Sequence, residues 1–265
     1  MKNSDFTVTV LGARGSIPVC RAGFTEFGGA TSCYMVYAGG ELIFLDAGLG
    51  IAGARELPAL PVSVLLSHPH LDHLLGLPFF PSLYEENRRV DLYARSREGL
   101  SAEEMIDGLY SPPYWPCRMS DLPAKLVCHD MEESFNIGGV KIDTLEVCHP
   151  GGSTAFRLSY GGKSLVYLTD YEQGKDPGQE TIEFVRSADL LLCDAQYTEA
   201  ELSGREGYGH STRLRAMGLM KKAGAKELLF IHHDPEHDDA FLREAERDVG
   251  EEGVRYAREG EVIKL

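Results

Sequence analysis

No stretch of this sequence approaches the roughly 20 apolar residues a helix needs to cross a bilayer. From Met1 to Cys20 there is no apolar run behind a basic head, which argues against a secretory leader and makes a cytoplasmic location the expectation. Cysteine is sparse and unpatterned: the six residues (Cys20, Cys33, Cys117, Cys128, Cys148, Cys193) contain no CxxC pair. In a chain of 265 residues without a leader, reduced thiols are expected rather than a disulfide framework. Several lie inside apolar runs, where a thiol acts as a small hydrophobe. Basic charge is also short, with 26 Lys and Arg against 41 Asp and Glu and a formal net charge of −15. Gripping a long polyanion calls for a basic stripe that neutralises phosphates. Here there are only isolated pairs, Arg88-Arg89 and Lys221-Lys222, so a long nucleic acid is disfavoured as a partner. A small anionic substrate stays open, because bound cations can reverse the charge of a site locally.

What is present begins with two β-rich stretches around a less regular middle. The first comprises Phe6–Leu11, Ser32–Ala38, Glu41–Leu45 and Val62–Ser67, with Gly39-Gly40 as a hairpin turn. Val62–Leu66 is almost wholly apolar, as a strand buried on both faces should be. A helix is expected over Leu74–Glu86, although Pro78 and Pro81 disturb its start. Residues 96–124 read as an irregular insertion, with a helix over Ser96–Leu109 and a proline-rich segment, Ser111–Pro116. The second β-rich stretch covers Ser134–Val147, Thr154–Tyr160 and Lys163–Thr169. Helix Gln179–Ser187, buried strand Asp189–Cys193, helix Ser211–Ala223, strand Glu227–Ile231, helix Ala240–Val249 and strand Glu261–Leu265 complete the chain. No repeat and no linker divides it, so a single domain over residues 1–265 of α/β (or α+β) class is expected.

The densest chemistry is Ser67–Gly76, SHPHLDHLLG, directly after a buried strand. It places His68, His70, Asp72 and His73 within six residues. Imidazole nitrogens and carboxylate oxygens are the donors that zinc and similar divalent ions favour. In extended backbone His68 and His70 project to one side, and a turn into a helix can aim Asp72 and His73 at a neighbouring position. A lone histidine would be read as an ordinary loop residue; three with an aspartate at strand-end spacing are not.

The motif His-x-His-x-Asp-His resembles the first metal motif of the metallo-β-lactamase superfamily. Further along, Cys148-His149-Pro150-Gly151-Gly152, Leu168-Thr169-Asp170 and Phe230-Ile231-His232 each close a β-run and are similar, in order, to its later metal motifs. The resemblance implies a four-layer αββα sandwich and two divalent metal ions, with zinc favoured and manganese or iron as alternatives. It further implies that His68, His70 and His149 hold one ion, that Asp72, His73 and His232 hold the other, and that Asp170 is shared. A metal-activated hydroxide would then attack an electrophilic centre. Asp46, in Leu45-Asp46-Ala47-Gly48, matches a position that orients a ligand imidazole; a plain turn aspartate is the competing reading. Asp194, closing another buried strand, competes with Asp170 for the shared role.

Gly209-His210-Ser211-Thr212 is similar to a His-Ser-Thr motif of the RNase Z and phosphodiesterase branch. This implies that His210 serves, with Asp72, in catalysis as a proton donor at the scissile phosphate. The competing reading makes it a loop residue before a helix capped by Ser211. The loops Gly12–Pro18 and Gly28–Cys33 resemble cyclic-nucleotide phosphodiesterases, whereas the long glycine- and proline-rich arm of RNase Z is missing. A phosphodiesterase for a small substrate such as a cyclic nucleotide is therefore expected. The alternatives are an RNase Z-like ribonuclease or a lactone or thioester hydrolase; His70 speaks against the redox di-iron members, and the complete ligand set against a non-catalytic binder. The family also makes a homodimer an option. Tyr114 and Trp115 stand either as a lid over a base or as local anchors. His129, His233 and His237 carry no motif role; strand alternation makes His233 a poor substitute for His232.

Overall fold

The computed structural model describes residues 6–265. Along the chain, β1 (Phe6–Gly12), β2 (Cys33–Ala38), β3 (Glu41–Leu45) and β4 (Val62–Leu66) lead into a one-turn helix, α1 (Leu71–Leu74). They are followed by β5 (Arg89–Ala94), α2 (Ala102–Leu109) and β6 (Lys125–Asp130). The second half runs β7 (Ser134–Ile137), β8 (Val140–Val147), β9 (Ser153–Tyr160), β10 (Lys163–Leu168), α3 (Gln179–Val185), β11 (Leu190–Asp194) and α4 (Glu199–Leu202). It ends with α5 (Arg213–Ala223), β12 (Glu227–Ile231), α6 (Asp239–Val249), β13 (Val254–Tyr256) and β14 (Val262–Lys264).

Two seven-stranded sheets result, with orders β14-β1-β2-β3-β4-β5-β6 and β13-β12-β11-β10-β9-β8-β7. In each, one half is antiparallel and the other parallel: β3 to β6 in the first, β10 to β13 in the second. The inner faces meet in a shared core that includes Val8, Val36, Ile43 and Leu65 from one sheet and Phe156, Leu158, Leu192 and Ile231 from the other. The outer face of the first sheet is covered by α2 and by the turns carrying Leu77, Phe80 and Leu83, and that of the second by α3, α5 and α6. This mixed α/β arrangement gives the four layers expected. It also explains the unbroken burial of β4 and β11, which are covered on both faces. Among the described residues no helix is long and apolar enough to cross a membrane, and all six cysteines are unpaired.

Several local expectations need correction. The helix over 74–86 does not form: α1 stops at Leu74, and two 3-10 turns, Leu77–Phe79 and Pro81–Tyr84, take its place. Pro78 and Pro81 have no N–H to give and crowd the preceding turn, so an α-helical ladder cannot pass them. Strands β5 and β6 are additions to the sequence reading. Residues 96–124 connect these two parallel neighbours, so the segment is a crossover that contains α2. That helix starts at Ala102, where Ser101 and Glu104 form a reciprocal capping box. Before α5 the cap is Thr212, which accepts from the N–H of Arg215, and not Ser211.

Candidate metal centre

The parallel strands deliver their carboxyl ends to one edge of the sandwich, the place where open α/β sheets present ligand sites. His68, His70, Asp72 and His73 follow β4; Asp170 follows β10; His232 follows β12; His149 lies between β8 and β9. The two sheets thus each contribute, and all seven residues meet. Donor atoms of His68, His70, His149 and Asp170 form one cluster, and those of Asp72, His73, Asp170 and His232 form a second. Asp170 belongs to both, and its two oxygens divide between them. Its Oδ2 lies 3.6 Å from His68 Nε2 and 3.6 Å from His149 Nε2. Its Oδ1 lies 3.2 Å from both His73 Nε2 and His232 Nε2. Asp72 Oδ2 sits 3.2 Å from His73 Nε2 and 3.1 Å from His232 Nε2.

The hydrogen bonds behind these rings set their tautomers. His73 Nδ1 faces Asp46 Oδ2 at 2.7 Å and His149 Nδ1 faces the Gly209 carbonyl at 2.9 Å. Both partners can only accept, so each Nδ1 carries a proton and each Nε2 is the nitrogen left to bind an ion. The Nε2 atoms of His68 and His73 are buried and have no hydrogen-bond partner among the described residues. Buried unpaired nitrogens are costly, and here they converge on carboxylate oxygens. A divalent ion suits such a set of nitrogen and oxygen donors, so the residues fit the two ions that the family motifs imply.

Electrostatics point the same way. Burial alone would push the His73 imidazole down, but Asp72, Asp170 and Asp46 outweigh it and hold it well above the usual histidine range. Burial opposes protonation of His232 too, yet Asp170 and Asp72 lift it to about 9. The Asp170 carboxyl is held well below its ordinary range, with His232, His73 and His68 overcoming its burial. His68, His70 and His149 are all lowered, primarily by burial. The Asp72–His73–Asp170–His232 cluster therefore favours positive charge, which a bound cation would supply in place of protons.

The backbone is bent to serve this arrangement. Ser16, Asp46, Asp170 and His232 adopt φ of 62°, 60°, 48° and 61°, left-handed conformations that cost about 1–3 kcal/mol each for a residue with a side chain. Two glycines give the rings room: a Cβ at Gly15 would strike the His232 ring, and one at Gly209, where φ is 91°, would strike that of His149.

His210 stands beside the centre, its ring stacked on His232 at 4.7 Å. Its Nδ1 donates to Asp194 Oδ2 at 2.8 Å. Asp194 also accepts from the N–H groups of Ser211 and Gln196, at 3.0 and 3.2 Å. Asp194 can join Asp170, His210 and His232 in a third cluster, but its nearest approach to His232 is 3.9 Å and its hydrogen bonds go to the His210 loop. Asp46 is more than a turn aspartate, since four donors converge on it: Ser67 N, Ser67 Oγ, His73 Nδ1 and Tyr167 OH. The remaining histidines lie apart: His233 donates to the Ala257 carbonyl, His129 pairs with Asp91, and His237 with Glu201. Trp115 packs edge-on against Phe79 and Tyr110, as an anchor, while Tyr114 is exposed. Sequence reading did not find Ser67, Tyr167 or Arg14 as supporting residues. The buried Arg14 guanidinium ties the loop after β1 to the Gly28, Asp234 and His237 carbonyls.

Known proteins share the family and the fold. Residues 42–233 match the beta-lactamase superfamily domain. The Bacillus subtilis protein named probable metallo-hydrolase YhfI is 26% identical, over 96% of this chain and 97% of its own. The crystal structure of that metallo-beta-lactamase fold protein superposes with a TM-score of 0.74 at 24% identity, covering 99% of both chains. Ribonuclease Z of Pyrococcus abyssi is 26% identical over 75% of this chain and 78% of its own. A diphosphatase from the PhnP family has the same fold, with a TM-score of 0.75 and 21% identity over 98% of this chain and 97% of its own. The chain belongs to the beta-lactamase superfamily and is one of its metal-dependent hydrolases.

Proposed function

We propose that this hydrolase works with two divalent ions, zinc foremost and manganese or iron as alternatives, on a small phosphodiester such as a cyclic nucleotide. The observation that carries the reading is the division of Asp170: one oxygen faces His68 and His149, the other His73 and His232. His68, His70, His149 and Asp170 would hold one ion, and Asp72, His73, His232 and Asp170 the other. When bound, such a pair lowers the pKa of water into the neutral range and neutralises charge developing at phosphorus.

The protein's own groups account for the rest. The Ser16 N–H donates to Asp72 Oδ2 at 2.9 Å and keeps that carboxylate in place. His210 has one ring nitrogen committed to Asp194, so Nε2 is the atom left to pass a proton to a leaving alkoxide. A ribonuclease and a diphosphatase among the similar proteins support a substrate that reacts at phosphorus, while the net charge of −15 favours a small substrate over a long nucleic acid. A cytoplasmic setting belongs to the same reading and suits six unpaired cysteines.

The test is hydrolysis of bis(p-nitrophenyl) phosphate by zinc-reconstituted protein. Turnover is expected, with near-complete loss in Asp72→Ala. In His210→Ala the loss should be on the order of 100-fold or more with metal content retained. Protein that holds two ions and yet leaves this substrate intact would sink the phosphodiester reading and direct attention to lactones and thioesters.

A further inference from the structure

Beneath the metal centre lies a hydrogen-bond network that reaches both halves of it. Asp46 follows β3 and is fully buried. Its Oδ2 accepts from His73 Nδ1 at 2.7 Å, from Ser67 Oγ at 2.8 Å and from Tyr167 OH at 2.7 Å, while Oδ1 accepts from Ser67 N at 2.7 Å. The Tyr167 bond crosses between the sheets, because that side chain comes from β10. The Tyr167 ring is itself wedged against Tyr34, with centroids 5.3 Å apart. With four donors, Asp46 has no role left as a base; it is a fixed anchor.

Ser67 extends the anchor to a second ring. Its Oγ lies 3.0 Å from His68 Nδ1. A hydroxyl has one hydrogen to give, and a carboxylate can only accept, so the Ser67 hydrogen goes to Asp46. The proton in the Oγ–Nδ1 contact must therefore come from His68. That leaves His68 Nε2 as the nitrogen that faces Asp170 and is free to bind an ion, as His73 Nε2 is left by its direct bond to the same Asp46. His68 and His73 belong to different clusters.

We propose that Asp46 sets both metal positions at once, directly through His73 and by relay through Ser67 to His68, with Tyr167 holding the carboxylate from the opposite sheet. Ser67 and Tyr167 are then positioning residues for the metals. The inference rests on the dinuclear reading above. It deepens that reading by making the two positions energetically linked through one buried carboxylate.

The experiment is zinc binding, read by competition with a chromophoric chelator, alongside the absorption spectrum of the Co²⁺-substituted protein. Wild type, Ser67→Ala, Ser67→Thr and Tyr167→Phe are compared. Wild type should take up two ions. Ser67→Ala should weaken one of the two steps by about 10- to 100-fold, the usual effect of removing an outer partner of a ligand, and should alter the Co²⁺ bands. Ser67→Thr, which keeps the hydroxyl, should restore both affinity and spectrum. Tyr167→Phe removes only an oxygen from a packed ring and should weaken both steps with the fold intact, which keeps the test decisive should Ser67→Ala fold poorly. Fewer than two zinc ions in wild type would overturn the dinuclear reading itself. Two ions in wild type, with affinities and Co²⁺ spectra unchanged in Ser67→Ala and Tyr167→Phe, would overturn the relay alone.

Discussion

Asp194 has no exposed surface, and its carboxylate takes three hydrogen bonds from the segment that carries His210 and from the loop after its own strand. It holds the His210 ring through Nδ1–H, and its negative charge supports the ring while Nε2 takes up and passes on a proton; an amide in its place removes that charge. Asp194→Asn should therefore lower kcat on the order of 100-fold while the protein still binds its metals; zinc content measured beside turnover checks this, and an unchanged kcat would remove Asp194 from the mechanism. The contrast with Asp170 shows what a sequence can reveal at this scale. Both close buried strands, and a local reading cannot say which one faces the histidines. The clustered His68, His70, Asp72 and His73 were legible because four donors lie within one short segment. Tyr167, bonded to an aspartate 121 positions away in the chain, left no such trace.

At the scale of elements, β4, β11 and β12 declared themselves as continuous apolar runs. Strand β6 did not: it is an edge strand with polar residues and half-exposed positions throughout, so its pattern lacks both alternation and continuity. Helix α6 was legible, but its second task was not. Asp239, in its first turn, accepts from the N–H groups of Thr25, Glu26 and Phe27 at 2.8, 3.0 and 3.2 Å. Burial would raise this carboxyl, but those donors and Arg14 prevail and hold it below its ordinary range. A carboxyl depressed in the folded state adds stability that is fully present above its unfolded pKa of about 3.9 and is lost as pH falls through the folded value. Asp239→Asn should accordingly lower Tm at neutral pH. A loss of about 2 kcal/mol, the worth of a charged hydrogen bond, corresponds to roughly 4–8 °C. The gap to wild type should narrow below about pH 4. Thermal scans from pH 7 to pH 3 test the sign, and a gap that widens on acidification would refute it.

At the scale of the molecule, the centre draws donors from both sheets, so ions held there tie the two halves of the sandwich together. Anything that binds the folded state alone stabilises it by mass action, by about 4 kcal/mol at a thousandfold excess over Kd. Removing one such ion from a chain of this size should lower Tm by roughly 8–16 °C. Scanning calorimetry with and without a chelator gives the answer, and coincident transitions would mean that no ion bridges the sheets. Restoring zinc should recover the transition, since the two sheets are also joined by their shared apolar core.

Gly15 and Gly209 acquire a different standing in this light. Neither offers a donor atom, yet each backs directly onto an imidazole, and even a methyl group would displace the ring. Any other amino acid at these two positions would turn a histidine of the centre off its aim. A mutational scan should find them nearly as intolerant as His232 and His149 themselves: the fold stores part of its catalytic information in space it leaves empty.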